Sequence, residues 1–334
     1  MKKIAIIGGG SWGTALAIVL TRSRQQHRIA LWVHEPDVCE ELRARRVNEV
    51  YLPGFKLPEE VDVTGELGNA LQEADIVLGV MPSAHARALY TRMLPHLDPR
   101  TVFVSATKGL EGGTLERMTE VISQVVSLKF TPRVAALSGP SFAREVARGD
   151  PTAVVMASAD PALATGVQEE FSGPTLRLYT NDDVAGVELG GAVKNVIAIA
   201  AGVCEGLGFG HNTIAALITR GLAEMTRLAC ALGGRRDTLA GLAGMGDLVL
   251  TCTGALSRNR SVGVELGKGR PLGEILASMR MVAEGVGTTA ATVELARKAR
   301  VEMPITEQMH AVLNQGRAPR DAIRELMERR LKHE

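Results

Sequence analysis

The sequence predicts an α/β domain built on a doubly wound, mostly parallel sheet, followed by an all-α domain. Three observations carry this expectation. In the first half, short β-rich runs alternate with amphipathic stretches, the pattern of strands joined by crossover helices. A glycine triplet follows the first β-rich run and opens a helical stretch. From Asp182 onward strand signals fade and helical periodicity takes over. The division is placed between residues 182 and 183, giving a nucleotide-binding domain over 1–182 and a substrate and catalytic domain over 183–334.

The predicted strands are Ile4–Ile7, Ile29–Val33, Ile76–Val80, Val102–Ser105, Val134–Leu137 and Ala153–Met156, each a short run rich in branched apolar residues. Between them, Trp12–Thr21, Ala84–Met93 and Leu115–Val126 read as helices, and right-handed crossovers then wind the sheet on both faces. The second half predicts helices over Asp183–Leu207, Thr213–Leu232, Arg258–Leu266, Leu272–Ser278, Thr288–Lys298, Pro304–Asn314 and Pro319–Leu331. The charged terminus "RELMERRLKHE" reads as a solvated amphipathic helix.

Composition narrows the function. The chain has 334 residues, 46% hydrophobic and 22% charged, with a formal net charge of +1. A near-neutral chain with 3% aromatic residues lacks both the basic footprint and the stacking platforms of nucleic-acid binders. Cys39, Cys204, Cys230 and Cys252 form no C-x-x-C pair and fit no zinc spacing, so they read as buried or partly buried free thiols in a reducing compartment. "MKKIAIIGGGSWGTALAIVL" mimics a secretion signal, but the glycines interrupt its apolar run. No other unbroken apolar segment approaches the ~20 residues of a membrane span, and a cytoplasmic protein without a membrane span is expected. No metal cluster is expected.

"IAIIGGGSWGTALA" carries Gly8-x-Gly10-x-x-Gly13. Gly8 permits a tight turn, Gly10 lets a pyrophosphate approach the backbone, and Gly13 lets helix and strand pack closely. The helix N-terminus then offers free N–H groups to the phosphates. An acidic residue at the end of the second strand usually receives the ribose 2′-hydroxyl of NAD. In "IALWVHEPD" His34 occupies that end and Glu35 follows. NAD(H) and NADP(H) both stay open, with a lean to NADP(H) because histidine tolerates a 2′-phosphate.

In the second half, "ELGGAVKNVIAIAAGV" places Lys194 inside an otherwise apolar helix. Gly190 and Gly191 weaken a helix, so close backbone approach is their use. Lys194 is either a snorkelling lysine or a desolvated acid–base group. "SATKGLEGGT" carries Lys108 and "LSGPSFAREV" carries Gly139 and Ser141, both after strands, where the crevice of an α/β sheet lies. "LAGMGDLVLTCTGALSRNR" holds Asp247, Thr251, Ser257, Arg258 and Asn259. The last three are either a plain helix cap or an anion site at a helix N-terminus.

These stretches, with "YLPG" and "VAEGVGT", occur in one order along almost the whole chain, and together they resemble bacterial NAD(P)-dependent glycerol-3-phosphate dehydrogenase. The resemblance implies a Rossmann-type domain and an all-α domain. It implies reversible reduction of dihydroxyacetone phosphate to sn-glycerol 3-phosphate for phospholipid synthesis, and a homodimer. Residue by residue, it makes Lys194 the proton donor and Lys108 the group polarising the carbonyl, with Asp247, Asn195 and Thr251 supporting the lysine or binding substrate. Gly139 and Ser141 line the substrate site, and Ser257, Arg258 and Asn259 match the substrate-phosphate region. On the cofactor side it implies Gly8, Gly10, Ser11, Trp12, Gly13, His34, Tyr51, Lys108, Ala143, Arg258, Val282 and Glu284. A hydroxy-acid dehydrogenase of the same architecture and a catalytically silent redox sensor are the rivals. The Ser257–Asn259 group disfavours the first, and the joint presence of Lys108, Lys194 and Asp247 disfavours the second.

Overall fold

The computed structural model describes Met1–Leu331. Its strands are β1 (Lys2–Ile7), β2 (His27–Trp32), β3 (Val47–Asn48), β4 (Leu52–Lys56), β5 (Val61–Thr64), β6 (Ile76–Gly79), β7 (Val102–Ser105), β8 (Arg133–Ser138), β9 (Thr152–Ala157) and β10 (Leu176–Asn181). Apart from the β3–β4 hairpin they form one eight-stranded sheet, ordered β10-β9-β8-β7-β6-β1-β2-β5. All neighbours are parallel except β8 and β9. The chain winds outward from β1 in one direction and then, from β6, in the other. The crevice where the winding reverses therefore opens beyond the carboxyl ends of β1 and β6.

Both faces of the sheet are covered. Ile4 and Ile6 enter one core with the helix Ser11–Leu20, while Ala5 and Ile7 enter the other with Ala86–Met93 and Met118–Val126. Alternation along β1 thus serves two apolar layers at once, as parallel sheets require. The hairpin, β5 and β10 were not foreseen. In β10 only Leu176 and Leu178 are buried, the signature of an edge strand, and it is too weak in sequence to stand out.

The second half is helical. Its axis is the helix Val184–Gly206, buried without a break from Gly186 to Cys204. Contrary to expectation, this helix is long and apolar enough by composition to cross a membrane, but 94% of that window is buried within the protein. Pro304–Asn314 ends where the sequence predicts. The helix predicted from Leu115 starts at Met118, because Leu115 takes a left-handed backbone (φ 67°). The helix predicted from Thr288 starts at Glu284, and the one predicted to reach Leu331 stops at Met327; the last residues of the charged terminus lie outside the described residues. A π-helical turn, Leu242–Gly246, runs into Asp247–Thr253, where the glycines mask any helical periodicity. Cys39, Cys204 and Cys252 are buried, whereas Cys230 is exposed.

Val184–Gly206 meets the helix Arg258–Gly267 through glycines on both sides. A Cβ at Gly202 would stand 2.0 Å from the Arg260 carbonyl oxygen, and one at Gly263 would stand 2.0 Å from that of Ile199. Gly206 and Gly267 repeat the contact one turn on. The obstacle is main chain, which no rotamer can relieve. Gly263→Ala is expected to lower unfolding free energy by about 3 kcal/mol or more. Gly273→Ala, where a Cβ would meet nothing within 4 Å, is expected to be neutral or to stabilise by up to about 1 kcal/mol. Urea denaturation of the two variants checks this; equal stabilities would show that the helices can part freely.

Candidate active site

The glycine loop after β1 divides its labour. Gly8 has φ +131°, and a Cβ there would lie 2.7 Å from the Val80 carbonyl oxygen; at Gly13 it would lie 1.9 Å from the Gly8 oxygen. Both are demanded by the fold. Gly10 differs: its backbone is extended, and a Cβ there would meet nothing within 4 Å. The fold leaves that space open, above a helix whose first turn has no side-chain cap. Uncapped N–H groups and an open approach suit a pyrophosphate. Ser11 and Trp12 stand at the same turn, and the buried Trp12 indole Nε1 has no partner among the described residues. The loop is held from behind by Asn48, 1% exposed, whose Nδ2 donates to the Gly9 carbonyl and to Thr14 Oγ1, both at 2.8 Å. Asn48 Oδ1 accepts from the Tyr51 amide at 3.0 Å. Sequence reasoning missed Asn48; a polar residue before "YLPG" carries no signal of its own.

Beyond the end of β2, His34 is exposed and stacks obliquely on Trp32. Glu35 accepts from the Tyr51 hydroxyl at 3.1 Å. Arg43 and Arg46 are tied to main-chain carbonyls of Val63 and of Pro58 and Val61, and Arg45 pairs with Glu41.

The chemistry gathers around Asp247, which is 1% exposed. Lys194 from the long helix donates to Asp247 Oδ1 and, at 2.9 Å, to Thr251 Oγ1. Lys108, from the loop after β7, donates to Asp247 Oδ2 at 2.7 Å and to the Gly139 carbonyl at 2.8 Å. Thr251 in turn donates to the Asp247 main-chain oxygen at 2.6 Å. Burial drives the Lys194 pKa down to about 7; Asp247 opposes the shift and the charge of Lys108 adds to it. Gly190 and Gly191 make the approach possible. A Cβ on the first would lie 2.6 Å from the Ala243 oxygen, and on the second 2.5 Å from Ser138 Oγ, beside the Lys108 stem.

The Ser257–Asn259 group separates into three roles. Ser257 Oγ caps its helix by accepting from the Arg260 amide at 3.2 Å. Asn259 donates to Asn195 Oδ1 at 2.9 Å and accepts from the Gly285 amide at 2.9 Å. Asn195 is thus linked through its Oδ1 to Asn259 and stands on the same helix as Lys194. Arg258 is different: its guanidinium makes no hydrogen bond or ion pair to the described residues, and burial lowers its pKa against the pull of Glu284. Ser141 donates to the Gly139 carbonyl at 2.9 Å, Ala143 begins the following short helix, and Val282 is 54% exposed.

Comparison with known proteins decides the family. A model described as NAD-dependent glycerol-3-phosphate dehydrogenase N-terminus matches residues 3–164, and its C-terminus counterpart matches residues 183–324. The chain belongs to the NAD-dependent glycerol-3-phosphate dehydrogenase family. It is 63% identical over 330 residues to glycerol-3-phosphate dehydrogenase [NAD(P)+] of Koribacter versatilis, covering 98% of each chain. The same enzyme of Citrifermentans bemidjiense is 54% identical, covering 100% of this chain and 99% of that one. The crystal structure of glycerol-3-phosphate dehydrogenase from Coxiella burnetii superposes with a TM-score of 0.93 at 43% identity, covering 98% of this chain and 99% of that one. The dehydrogenase family assignment thus spans the glycine loop and Lys108 in one half and Lys194, Asp247 and Arg258 in the other. A nicotinamide dinucleotide is the cofactor of this family, and the open space at Gly10 and the uncapped helix fit it.

Gly10→Val is expected to keep the melting temperature within about 2 °C and to weaken dinucleotide binding at least tenfold, measured by calorimetric titration. Undiminished affinity would show that the space at Gly10 is not the phosphate approach.

Proposed function

We propose that this protein reversibly reduces dihydroxyacetone phosphate to sn-glycerol 3-phosphate with NAD(P)H, with Lys194 as the proton-transfer group. The observation that carries the reading is the convergence of two lysines on one buried carboxylate at the mouth of a dinucleotide crevice. Bound dihydronicotinamide supplies the hydride. The residues supply the rest. Lys194, with a pKa of about 7, donates its proton to the oxygen that becomes the alcohol, and takes one back in reverse. Lys108 adds positive charge beside the same oxygen and stabilises the developing alkoxide. Asp247 fixes both ammonium groups through its two oxygens. Two cations against one anion leave the centre electrophilic. Arg258, with five unengaged donors, takes the substrate phosphate, and binding there, remote from the carbonyl, can be used in the transition state. The product supplies glycerophospholipid synthesis.

For the cofactor we propose a preference for NADPH. The acid at this position, Glu35, is engaged by Tyr51, and the exposed imidazole of His34 can face a 2′-phosphate.

Purified protein should oxidise NADPH or NADH with dihydroxyacetone phosphate; no loss of absorbance at 340 nm with either would sink the reading. Lys194→Met should lower kcat roughly 10²–10⁴-fold with dinucleotide affinity unchanged. The pH dependence follows from which form of Lys194 reacts. Reduction needs the ammonium, so its kcat/KM should fall as pH rises through about 7. Oxidation needs the free amine, so its kcat/KM should rise through the same value. A flat reduction profile from pH 6 to 9, as assay conditions, would remove Lys194 from proton transfer. A higher kcat/KM for NADH than for NADPH would refute the preference.

A further inference from the structure

Ser83 follows β6, in a short 3₁₀ turn at the crevice, and is 6% exposed. It reaches across to the helical half. Its amide donates to Glu284 Oε1 at 3.2 Å and its hydroxyl to Glu284 Oε2 at 2.8 Å. Each carboxylate oxygen thus has its own donor from one residue. The neighbouring loop makes room for the pair. A Cβ at Gly109, the residue after Lys108, would lie 2.7 Å from Ser83 Oγ and 3.2 Å from Glu284 Oε2. Gly285, the residue after Glu284, donates to Asn259, the residue after Arg258, so Arg258 stands near Glu284, and its charge acts on the carboxylate without bonding it. Burial raises the Glu284 pKa, and the Ser83 hydrogen bonds and Arg258 oppose that rise.

A part-buried carboxylate near a part-buried, unbonded guanidinium is an arrangement open to direct pairing. A direct, bidentate pair would satisfy both groups. The two donors of Ser83 hold the carboxylate elsewhere.

We propose that Ser83 is a positioning residue of the reaction: by holding the Glu284 carboxylate with two hydrogen bonds it keeps that carboxylate off Arg258, leaving the guanidinium free for the substrate phosphate. The inference rests on the phosphate-bearing substrate proposed above. Removing the Ser83 hydroxyl frees Oε2, and Arg258 is a cation whose charge already acts on this carboxylate. Glu284 then competes with the phosphate for the guanidinium. The effect is read on the substrate phosphate, the ligand with which Glu284 would compete.

The test uses the purified full-length protein in the steady-state assay, with inorganic phosphate as a competitive probe of the Arg258 site. In Ser83→Ala, KM for dihydroxyacetone phosphate and the inhibition constant of inorganic phosphate should both rise about tenfold, while kcat stays within threefold. Ser83→Thr, which restores the hydroxyl, should return both constants to within twofold of wild type. Ser83→Ala/Glu284→Gln, which removes the competing charge, should lower both at least threefold from the single variant. An unchanged KM for dihydroxyacetone phosphate in Ser83→Ala overturns the proposal. So does a rise confined to the dinucleotide, or a double variant no better than the single one. Wild-type protein inactive on dihydroxyacetone phosphate would instead sink the functional reading itself.

Discussion

Everything at the centre of this protein hangs on the carboxylate of Asp247. It is buried, it is shared between Lys108 and Lys194, and those three residues come from three separate segments of chain. Placing charges out of water is costly unless they are paired, and breaking a buried pair costs about 3–5 kcal/mol. Here pairing is incomplete by design of the stoichiometry: one anion serves two cations. The excess positive charge is what the reaction proposed above uses at the alkoxide. Burial is the main reason that the Lys194 pKa is lowered to about 7: Asp247 opposes the shift and the second ammonium group adds to it.

An arrangement so unfavourable when isolated requires surroundings that do not yield. The long helix supplies them by main-chain packing. At Gly190 and Gly191 it admits the π-helical turn and the end of β8, and at Gly202 and Gly206 it admits the helix that carries Arg258. The π-helical turn delivers Asp247 at the start of a new helix, a placement that such irregular turns often serve at functional sites. Local helix propensity is given up at each glycine, and close approach is gained.

Much of this was legible in the sequence, for physical reasons that can be named. The alternation of β-rich and amphipathic runs exposes a parallel sheet because both faces of each strand must be apolar. Lys194 stood out because a lysine inside an apolar helix demands a partner. What was not legible depended on contacts between distant positions. Nothing local says that Lys108 bonds to Asp247, that Asn48 braces the glycine loop, or that Ser83 grips Glu284 across 201 positions. The motif assigns Gly10 a different part from Gly8 and Gly13, and the geometry separates them in the same way: a Cβ would strike main chain at Gly8 and Gly13 and would meet nothing within 4 Å at Gly10. Ser257 and Asn259 stand beside Arg258, where one caps its helix and the other links helices, parts that a sequence pattern does not separate from ligand binding.

The glycine contact between the long helix and Arg258–Gly267 has a consequence for selectivity. Lys194 and Arg258 sit on two helices joined main chain to main chain, so the backbone points from which their side chains project are set by that contact. A molecule that touched both would be measured from this fixed base by two flexible arms, and changing the base would mean moving a helix.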